Sequence, residues 1–155
     1  MSDLARLNEI VNDEEVARYL CISPPVSMKS TRDVLARHKR EGSLWYAITA
    51  DGKVAGAFSL TPKCRYAKTA HVAVFGIDLG REYWGKGLGG KAIDYAVKKA
   101  RRMRLKRIEL EVAKENIRAR RLFSKKGFRR EGVKAGYMRI GRKYHDSIMM
   151  ARLLR

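Results

Sequence analysis

The chain has 155 residues, a mass of 17.7 kDa and a formal net charge of +19, with 45% hydrophobic and 33% charged residues. This length indicates one domain, residues 1–155, and the composition excludes intrinsic disorder as the main state. No apolar run approaches the roughly 20 residues that span a bilayer, and the first twelve residues lack the apolar core of a secretory signal. Cys21 and Cys64 fit neither a disulfide framework nor a zinc site, so we expect a cytoplasmic protein with reduced thiols.

Helix and turn signals divide the first part of the chain. Asn12, with Glu15 three residues later, resembles a capping box and predicts a short helix that ends before Pro24. A second helix is predicted from Met28 to Arg40, and Gly42 is placed to end it. A hairpin follows, with strands at Leu44–Thr49 and Val54–Leu60 and a turn at Asp51-Gly52.

The second part alternates strands and helices. The nearly continuous apolar run His71–Leu79 predicts a strand covered on both faces of the sheet, and Gly76 within it predicts a bulge or a close backbone approach. An amphipathic helix follows at Lys91–Met103. The remaining predicted elements are a strand at Arg107–Ala113, a helix at Asn116–Lys126, a short strand at Phe128–Glu131, and a hairpin of Tyr137–Ile140 and Tyr144–Leu153. The order predicts a mixed α/β domain.

A glycine-rich segment, Arg81 to Gly90, joins the buried strand to the amphipathic helix. Consecutive backbone N–H groups at such a junction form a phosphate site, and glycines let the backbone approach the oxygens. The segment is not a P-loop, which needs Gly-x4-Gly-Lys-Ser/Thr. Gly85 to Gly90 meets the dinucleotide spacing, but a meander precedes it and Glu109 lies inside its strand. A simple turn is the other alternative, although four glycines in six residues exceed what a turn requires.

Two segments resemble motifs of the GNAT N-acetyltransferase superfamily. Trp84-Gly85-Lys86-Gly87-Leu88-Gly89 is similar to its acyl-CoA motif, with Trp84 where Gln or Arg is usual. Asn116 to Phe128 resembles the block Asn-x-x-Ala-x-x-Leu-Tyr-x-x-x-Gly-Phe, with Phe123 at the Tyr position. The branch with ribosomal-protein N-terminal and spermidine acetyltransferases is the most similar. The resemblance implies the acyl-CoA N-acyltransferase fold, a mostly antiparallel sheet with helices on both faces.

The resemblance also implies a reaction and its residues. It implies acetyl-CoA as co-substrate, no metal, and acetyl transfer to a primary amine by direct attack in a ternary complex. A backbone N–H at Asp78 or Leu79 is expected to stabilise the oxyanion. Asn116 matches the position that binds the pantetheine arm, although it could also serve only as a helix cap. The implied cofactor-binding residues are Ile77, Leu79, Trp84, Gly85, Lys86, Gly87, Leu88, Gly89, Gly90, Asn116, Phe123 and Lys125.

The general acid and base are not assigned by the sequence. Relatives often use a Tyr as the acid, but Phe123 stands at that position and cannot donate a proton. The candidates for the base are Asp78, His71, Glu131 and His145. Deprotonation through water is a further alternative.

The charge is confined to one part of the chain and bears on the partners. Residues 1–60 hold 8 basic and 8 acidic side chains, whereas residues 61–155 hold 27 basic and 8 acidic ones and so carry the whole +19. The neutral first part favours a protein or peptide α-amine as acceptor, then a small-molecule amine, then a polyamine. The basic run Lys98–Arg107 is either a solvated face or a contact with RNA or the ribosome, so a non-catalytic RNA-associated module is the rival interpretation. We expect no membrane contact, and the sequence leaves a homodimer open.

Overall fold

The computed structural model describes residues 3–63 and 66–155, so the expectation for Cys64 lies outside the described residues. Within them, helices and strands follow one another in an order close to the predicted one. The α-helices are α1 (Asp3–Asn12), α2 (Glu14–Ala17), α3 (Met28–Arg40), α4 (Leu88–Arg102) and α5 (Ile117–Lys125). The strands are β1 (Leu44–Ala50), β2 (Lys53–Pro62), β3 (Val72–Leu79), β4 (Arg107–Ala113), β5 (Arg129–Ile140) and β6 (Lys143–Leu153).

The six strands form one sheet in the order β1-β2-β3-β4-β6-β5. Every neighbouring pair is antiparallel except β3 and β4, which are parallel because the chain returns through α4. This confirms the prediction of a mixed α/β fold with a mostly antiparallel sheet.

Strands β3 and β4 separate partway along their length. Their parallel pairing joins Val72–Val74 to Arg107–Glu109 and then ends. Beyond it β3 remains paired with β2 up to Leu79, while β4 remains paired with β6 up to Ala113. The sheet therefore opens in a V at its centre, between two strands that are each held from the outside.

Helices cover both faces of the sheet, as predicted. On one face α4 buries a stripe of small and branched residues against Phe58 and Phe75 of the sheet. On the other face Leu7 of α1 packs against Val54, Ala57 and Trp45. Burial of these two layers fixes the directions of β2 and β3, and so the position of the opening. None of the helices in the described ranges combines the length and the apolar character needed to cross a bilayer.

The predicted start of the first helix is wrong. Asp13, rather than Asn12, caps α2, and its carboxylate accepts hydrogen bonds from the backbone N–H groups of Glu15 (3.0 Å) and Val16 (3.1 Å). Asn12 instead ends α1, a helix the sequence analysis did not predict, and its side-chain oxygen accepts from Val26 N at 2.7 Å. Asn12 is therefore used to tie the loop before α3 to α1.

The predicted short strand at Phe128–Glu131 and the strand at Tyr137–Ile140 are one strand, β5. The pairing of β5 with β6 shifts register at Arg130/Gly132 and again at Lys134/Met138. These irregularities interrupt the alternation of side chains, which is why the sequence pattern appeared to break.

Gly76 does not form a bulge. It pairs regularly with Ser59, and an added Cβ would meet the Ser59 hydroxyl at 3.2 Å, so the close approach is to a side chain. The prediction that β3 is covered on both faces of the sheet is also wrong, because Val74 is exposed. Val74 lies between Thr61 and Glu109 on its face of the sheet, and these polar neighbours leave that end open to solvent.

Candidate active site

The glycine segment forms a tight turn that opens directly into α4. Gly85 and Gly87 have φ of 75° and 79°, a left-handed conformation that favours glycine. The first helical hydrogen bond runs from Lys91 N to Gly87 O at 3.2 Å. The amides just before Lys91 thus have no acceptor within the helix and gain the partial positive charge of its N-terminus. The arrangement can hold a diphosphate.

Trp84 supports this turn in place of the usual Gln or Arg. Its indole Nε1 donates to the Leu79 carbonyl at 2.9 Å, which links the turn to the end of β3. The guanidinium of Arg118, from α5, lies over the indole ring at 3.4 Å from its centre. The positive charge that the motif lacks at Trp84 is therefore supplied by a residue of the next helix, and the sequence analysis missed this residue.

The opening between β3 and β4 continues into a cavity of about 460 Å³, called here the strand cavity. Its walls are mainly apolar, and the turn, α5 and the segment after α2 close its ends. Its lining residues include Val16, Tyr19, Leu20, Cys21, Phe75–Leu79, Tyr83–Gly85, Gly87–Gly90, Leu110–Val112, Asn116, Arg118, Ala119, Leu122 and Phe123. The shape fits a long, thin ligand with phosphates at the turn.

Most of the predicted cofactor-binding residues line the strand cavity, and two do not. Lys86 lies on the turn, but its ammonium group points to the Tyr83 ring at 5.6 Å. Lys125 is exposed on the last turn of α5. Neither cation is among the residues that line the strand cavity.

Asn116 and Phe123 have structural contacts as well as a place in the wall. The Asn116 side-chain oxygen accepts from Ala119 N at 3.1 Å and caps α5, which leaves its amide nitrogen able to donate toward the cavity. The Phe123 ring is buried between Phe75 and Phe128, with ring centres 6.4 Å and 5.8 Å away. The position where relatives place a Tyr is therefore part of the core here.

Asp78 differs in environment from the other acidic residues near the site. Asp78 lies on the open half of β3 and is one of the residues that line the mainly apolar strand cavity. Burial raises its pKa to about 7, although the nearby backbone amide of Ala57 favours the ionised form. A carboxyl group with this pKa exchanges protons readily near neutral pH.

The other candidates for the base lie outside the strand cavity. His71 is exposed at the start of β3, seven residues from Asp78. Glu131 pairs with the guanidinium of Arg107, which lowers the pKa of the carboxyl. The His145 ring nitrogen Nδ1 lies 3.0 Å from Glu115 Oε1. Of the four, Asp78 is the one that the fold brings to the opening.

A second cavity of about 850 Å³, called here the hairpin cavity, lies between the α2 segment and the β5–β6 turn. Glu14, Glu15 and Arg18 line it from the helix side, and Tyr137 to Gly141 line it from the hairpin. Leu20 and Cys21 line both cavities, so the two cavities have these residues in common in their walls.

The described residues contain no group of three or more His, Cys, Asp or Glu side chains placed to hold a metal ion. The open strand pair, the amide turn and the adjoining cavities define the class of acyl-CoA-dependent acyltransferases. The family model described as an acetyltransferase (GNAT) domain matches residues 1–129. The chain belongs to the GNAT acetyltransferase family, and it is an N-acetyltransferase with acetyl-CoA as its acetyl donor.

Three relatives match this chain over 63% to 100% of its length. A mycothiol acetyltransferase from Beutenbergia cavernae is 36% identical over 104 residues, 63% of this chain, and the match spans only 34% of that protein. The uncharacterised N-acetyltransferase p20 from Bacillus licheniformis is 27% identical, with 100% of this chain and 89% of that one covered. The spermidine N(1)-acetyltransferase from Escherichia coli K12 is 28% identical, with 96% and 79% covered.

Solved structures share the fold at low sequence identity. A ribosomal-protein-alanine N-acetyltransferase from Brucella melitensis superposes with a TM-score of 0.86 at 21% identity, covering 98% of this chain and 94% of that one. A phosphinothricin acetyltransferase from Sinorhizobium meliloti, in complex with acetyl-CoA, gives 0.85 at 18% identity, with 98% and 83% covered.

Proposed function

We propose that residues 1–155 form one domain that transfers an acetyl group from acetyl-CoA to the α-amine of a protein or peptide, by direct attack in a ternary complex. The observation that carries this proposal is that the two cavities share Leu20 and Cys21 in their walls. In this proposal a thioester laid along β3 from the turn ends near these two residues, and an amine in the hairpin cavity reaches it from the other side. Positioning of this kind supplies a large part of the rate of a transfer reaction.

The donor is bound by the turn and the open half of β3. The amides from Gly85 to Gly90 hold the diphosphate, and Arg118, held on the Trp84 ring, adds positive charge beside it. The backbone of Ile77 and Leu79 pairs with the amides of the pantetheine arm, because β4 has separated from β3 there. Asn116 donates to the same arm from the opposite wall. Lys86 and Lys125 attract the phosphates from the edge.

The chemical step needs one oxyanion donor and one proton acceptor. The amine nitrogen attacks the thioester carbon, and the carbonyl oxygen becomes an oxyanion that the backbone N–H near Asp78 or Leu79 stabilises. The C–S bond then breaks and coenzyme A leaves as a thiolate. An ammonium group must lose one proton before attack and another when the amide forms. Asp78 accepts the first proton, and the thiolate takes the second.

The α-amine acceptor is supported by the electrostatics of the first part of the chain. The hairpin cavity is lined by Glu14, Glu15 and Arg18 on the helix side and by Arg139 on the hairpin side, so it carries no strong net charge. An acceptor that enters it must also approach a protein of charge +19, which repels a polyamine more than a peptide with a single free amine.

The proposal is tested by thiol release with acetyl-CoA across peptides with free α-amines, polyamines and small-molecule amines, with mass spectrometry of the products. We expect the highest kcat/KM for a peptide, with acetylation at its N-terminal nitrogen. A higher kcat/KM for spermidine or for a small-molecule amine would overturn the proposal that the acceptor is a peptide α-amine. Tight binding of acetyl-CoA with no thiol release on any amine would overturn catalysis itself.

A further inference from the structure

The second half of α4 and the turn after it carry a basic face, defined as Lys98, Lys99, Arg101, Arg102, Arg104 and Lys106. No acidic residue lies between positions 95 and 106. The inner side of the same helix is buried through Ala96, Val97 and Ala100. The cations therefore project from a rigid support rather than from a flexible tail.

The acidic groups that could neutralise this face are bound elsewhere. Residues 61–155 hold eight acidic side chains, and all of them except Asp78 pair with a basic residue within the described ranges. Asp94, the acidic residue of α4, pairs with Lys126 of α5. On the basic face itself, Lys99 lies over the rings of Tyr46 and Tyr95, at 5.7 Å and 5.3 Å. The remaining cations of the face have no acidic partner among the residues that the structure describes.

Acetyl-CoA does not account for these cations. The phosphate turn lies at the N-terminus of α4, and the 15 residues of this helix extend about 22 Å at 1.5 Å per residue. Arg102 and Arg104 lie at the opposite end, beyond two Debye lengths from the turn at physiological salt. The positive charge continues instead toward the end of β6. There the backbone N–H of Leu154 donates to the Lys106 carbonyl at 2.8 Å, which brings the next residue, Arg155, beside the basic face.

We propose that the basic face binds the phosphodiester backbone of a nucleic acid, through contacts that do not depend on base sequence. This interaction goes beyond the acetyl transfer proposed above and uses none of its residues. Unpaired cations on one rigid surface bind a polyanion by releasing its condensed counterions. RNA and DNA present the same phosphates, so their comparison identifies the source of the ligand.

The test compares two variants that lose the same charge. In one, Lys98, Arg101 and Arg102 of the basic face become Ala. In the control, Lys39, Arg32 and Arg40 of α3, which are exposed cations in the neutral part of the chain, become Ala. Binding of a labelled 30-nucleotide RNA of mixed sequence, and of the same sequence as DNA, is measured by fluorescence anisotropy from 50 to 200 mM salt.

We expect the basic-face variant to bind at least 10-fold more weakly than the wild type. The slope of log affinity against log salt concentration should also be smaller, by the amount that corresponds to about two to three phosphate contacts. The control variant should stay within 3-fold of the wild type. Binding of either nucleic acid that the basic-face variant loses supports the proposal. Tighter binding of RNA or of DNA names the preferred ligand, and equal binding of both shows recognition of the shared phosphate backbone. Equal losses in the two variants would show that only the total charge matters and would overturn it, as would no binding at 50 mM salt.

The acetyl-CoA affinity of both variants, measured by calorimetry, separates this proposal from the enzyme function. It should be unchanged, since neither set of residues lines the strand cavity. A loss of nucleic-acid binding with normal acetyl-CoA binding supports the basic face alone. Loss of both in the basic-face variant would show that the substitutions disturb α4 and would overturn the assignment.

Discussion

A single carboxyl group, Asp78, stands out at the scale of residues, because it is the acidic side chain in the wall of the strand cavity whose pKa is raised to about 7. Its neighbour Glu111 lines the same cavity but pairs with Lys134. Removal from water, with no cationic partner among the described residues, therefore distinguishes Asp78 and fits it for proton transfer.

Replacing Asp78 by Asn should reduce kcat/KM by about 100-fold or more, the usual effect of losing a general base. The wild-type rate should rise with pH through about 7 as the carboxyl ionises, and the variant should lose this rise. The pH profile of thiol release measures both. Asp94→Asn, which alters an acidic residue outside the cavity, is the control. Full activity of Asp78→Asn, with the rise retained, would exclude Asp78 as the base.

The same substitution should change the pH dependence of stability. The folded pKa of about 7 lies above the ordinary value of about 3.9, so the folded state keeps a proton that the unfolded state releases. Stability of the wild type should fall as pH rises between these two values, by about 1.4 kcal/mol for each pKa unit at most. Asp78→Asn should have the higher Tm at pH 8, and the two proteins should converge near pH 4. A lower Tm of the variant at pH 8 would contradict the raised pKa.

Arg118 provides a second prediction for a single side chain. Its guanidinium lies on the Trp84 indole beside the amide turn, so Arg118→Ala should raise the Kd for acetyl-CoA about 5- to 10-fold, the effect of losing roughly 1–1.4 kcal/mol. Calorimetry measures the change, and kcat at saturating donor should stay within 2-fold. Arg121→Ala, an exposed cation on the same helix, should bind normally. Equal affinities of the two variants would mean that Arg118 does not contact the donor.

The pairing of β2 with β3 decides the geometry of the site at the scale of elements. Gly56 faces Leu79 across this pair, and an added Cβ would lie 2.1 Å from the Asp78 carbonyl oxygen. A side chain at position 56 would therefore push the open half of β3 away from β2. Because β4 has already separated, the open half of β3 has no strand beside it on that side among the described residues, and the bond from the Trp84 indole to Leu79 O holds its end.

Gly56→Ala should lower the free energy of unfolding by about 1–3 kcal/mol. It should also reduce kcat, because the displaced half of β3 forms the wall of the strand cavity. Gly76→Ala, in the same strand pair, meets only the Ser59 hydroxyl at 3.2 Å, so it should cost less and keep most of the activity. Urea unfolding and thiol release on both variants test this. Equal effects of the two substitutions would refute a special role for the contact at Gly56.

The uneven charge governs stability at the scale of the whole molecule. A net charge of +19 repels itself, whereas the ion pairs lie at the surface and contribute little each. Raising sodium chloride from 20 to 300 mM screens the repulsion and should raise the Tm at pH 7 by several degrees. Calorimetric scans of the free protein measure this. A fall in Tm with salt would mean that the ion pairs outweigh the repulsion.

The sequence by itself determined the elements whose signals are local. Gly42, the Asp51-Gly52 turn and the cap at Asn116 set boundaries that the structure confirms, because a positive φ or a side-chain cap depends on a few neighbouring residues. The glycine motif also identified the family, since its spacing reflects the geometry of one turn. Where the pattern was broken by register shifts, as in β5, the sequence predicted two strands instead of one.

Only the tertiary structure decided which side chains meet. The spacing of Trp84 and Arg118 in the chain gives no sign that one stacks on the other, and Asp78 is distinguished from His71, Glu131 and His145 only by its place in the opening. The physical reason is that burial and contact depend on how α4, α5 and the separated strands pack, which involves residues far apart in the chain. The sharing of Leu20 and Cys21 by the walls of the two cavities likewise arises from packing, because it places a segment near the N-terminus against the centre of the sheet.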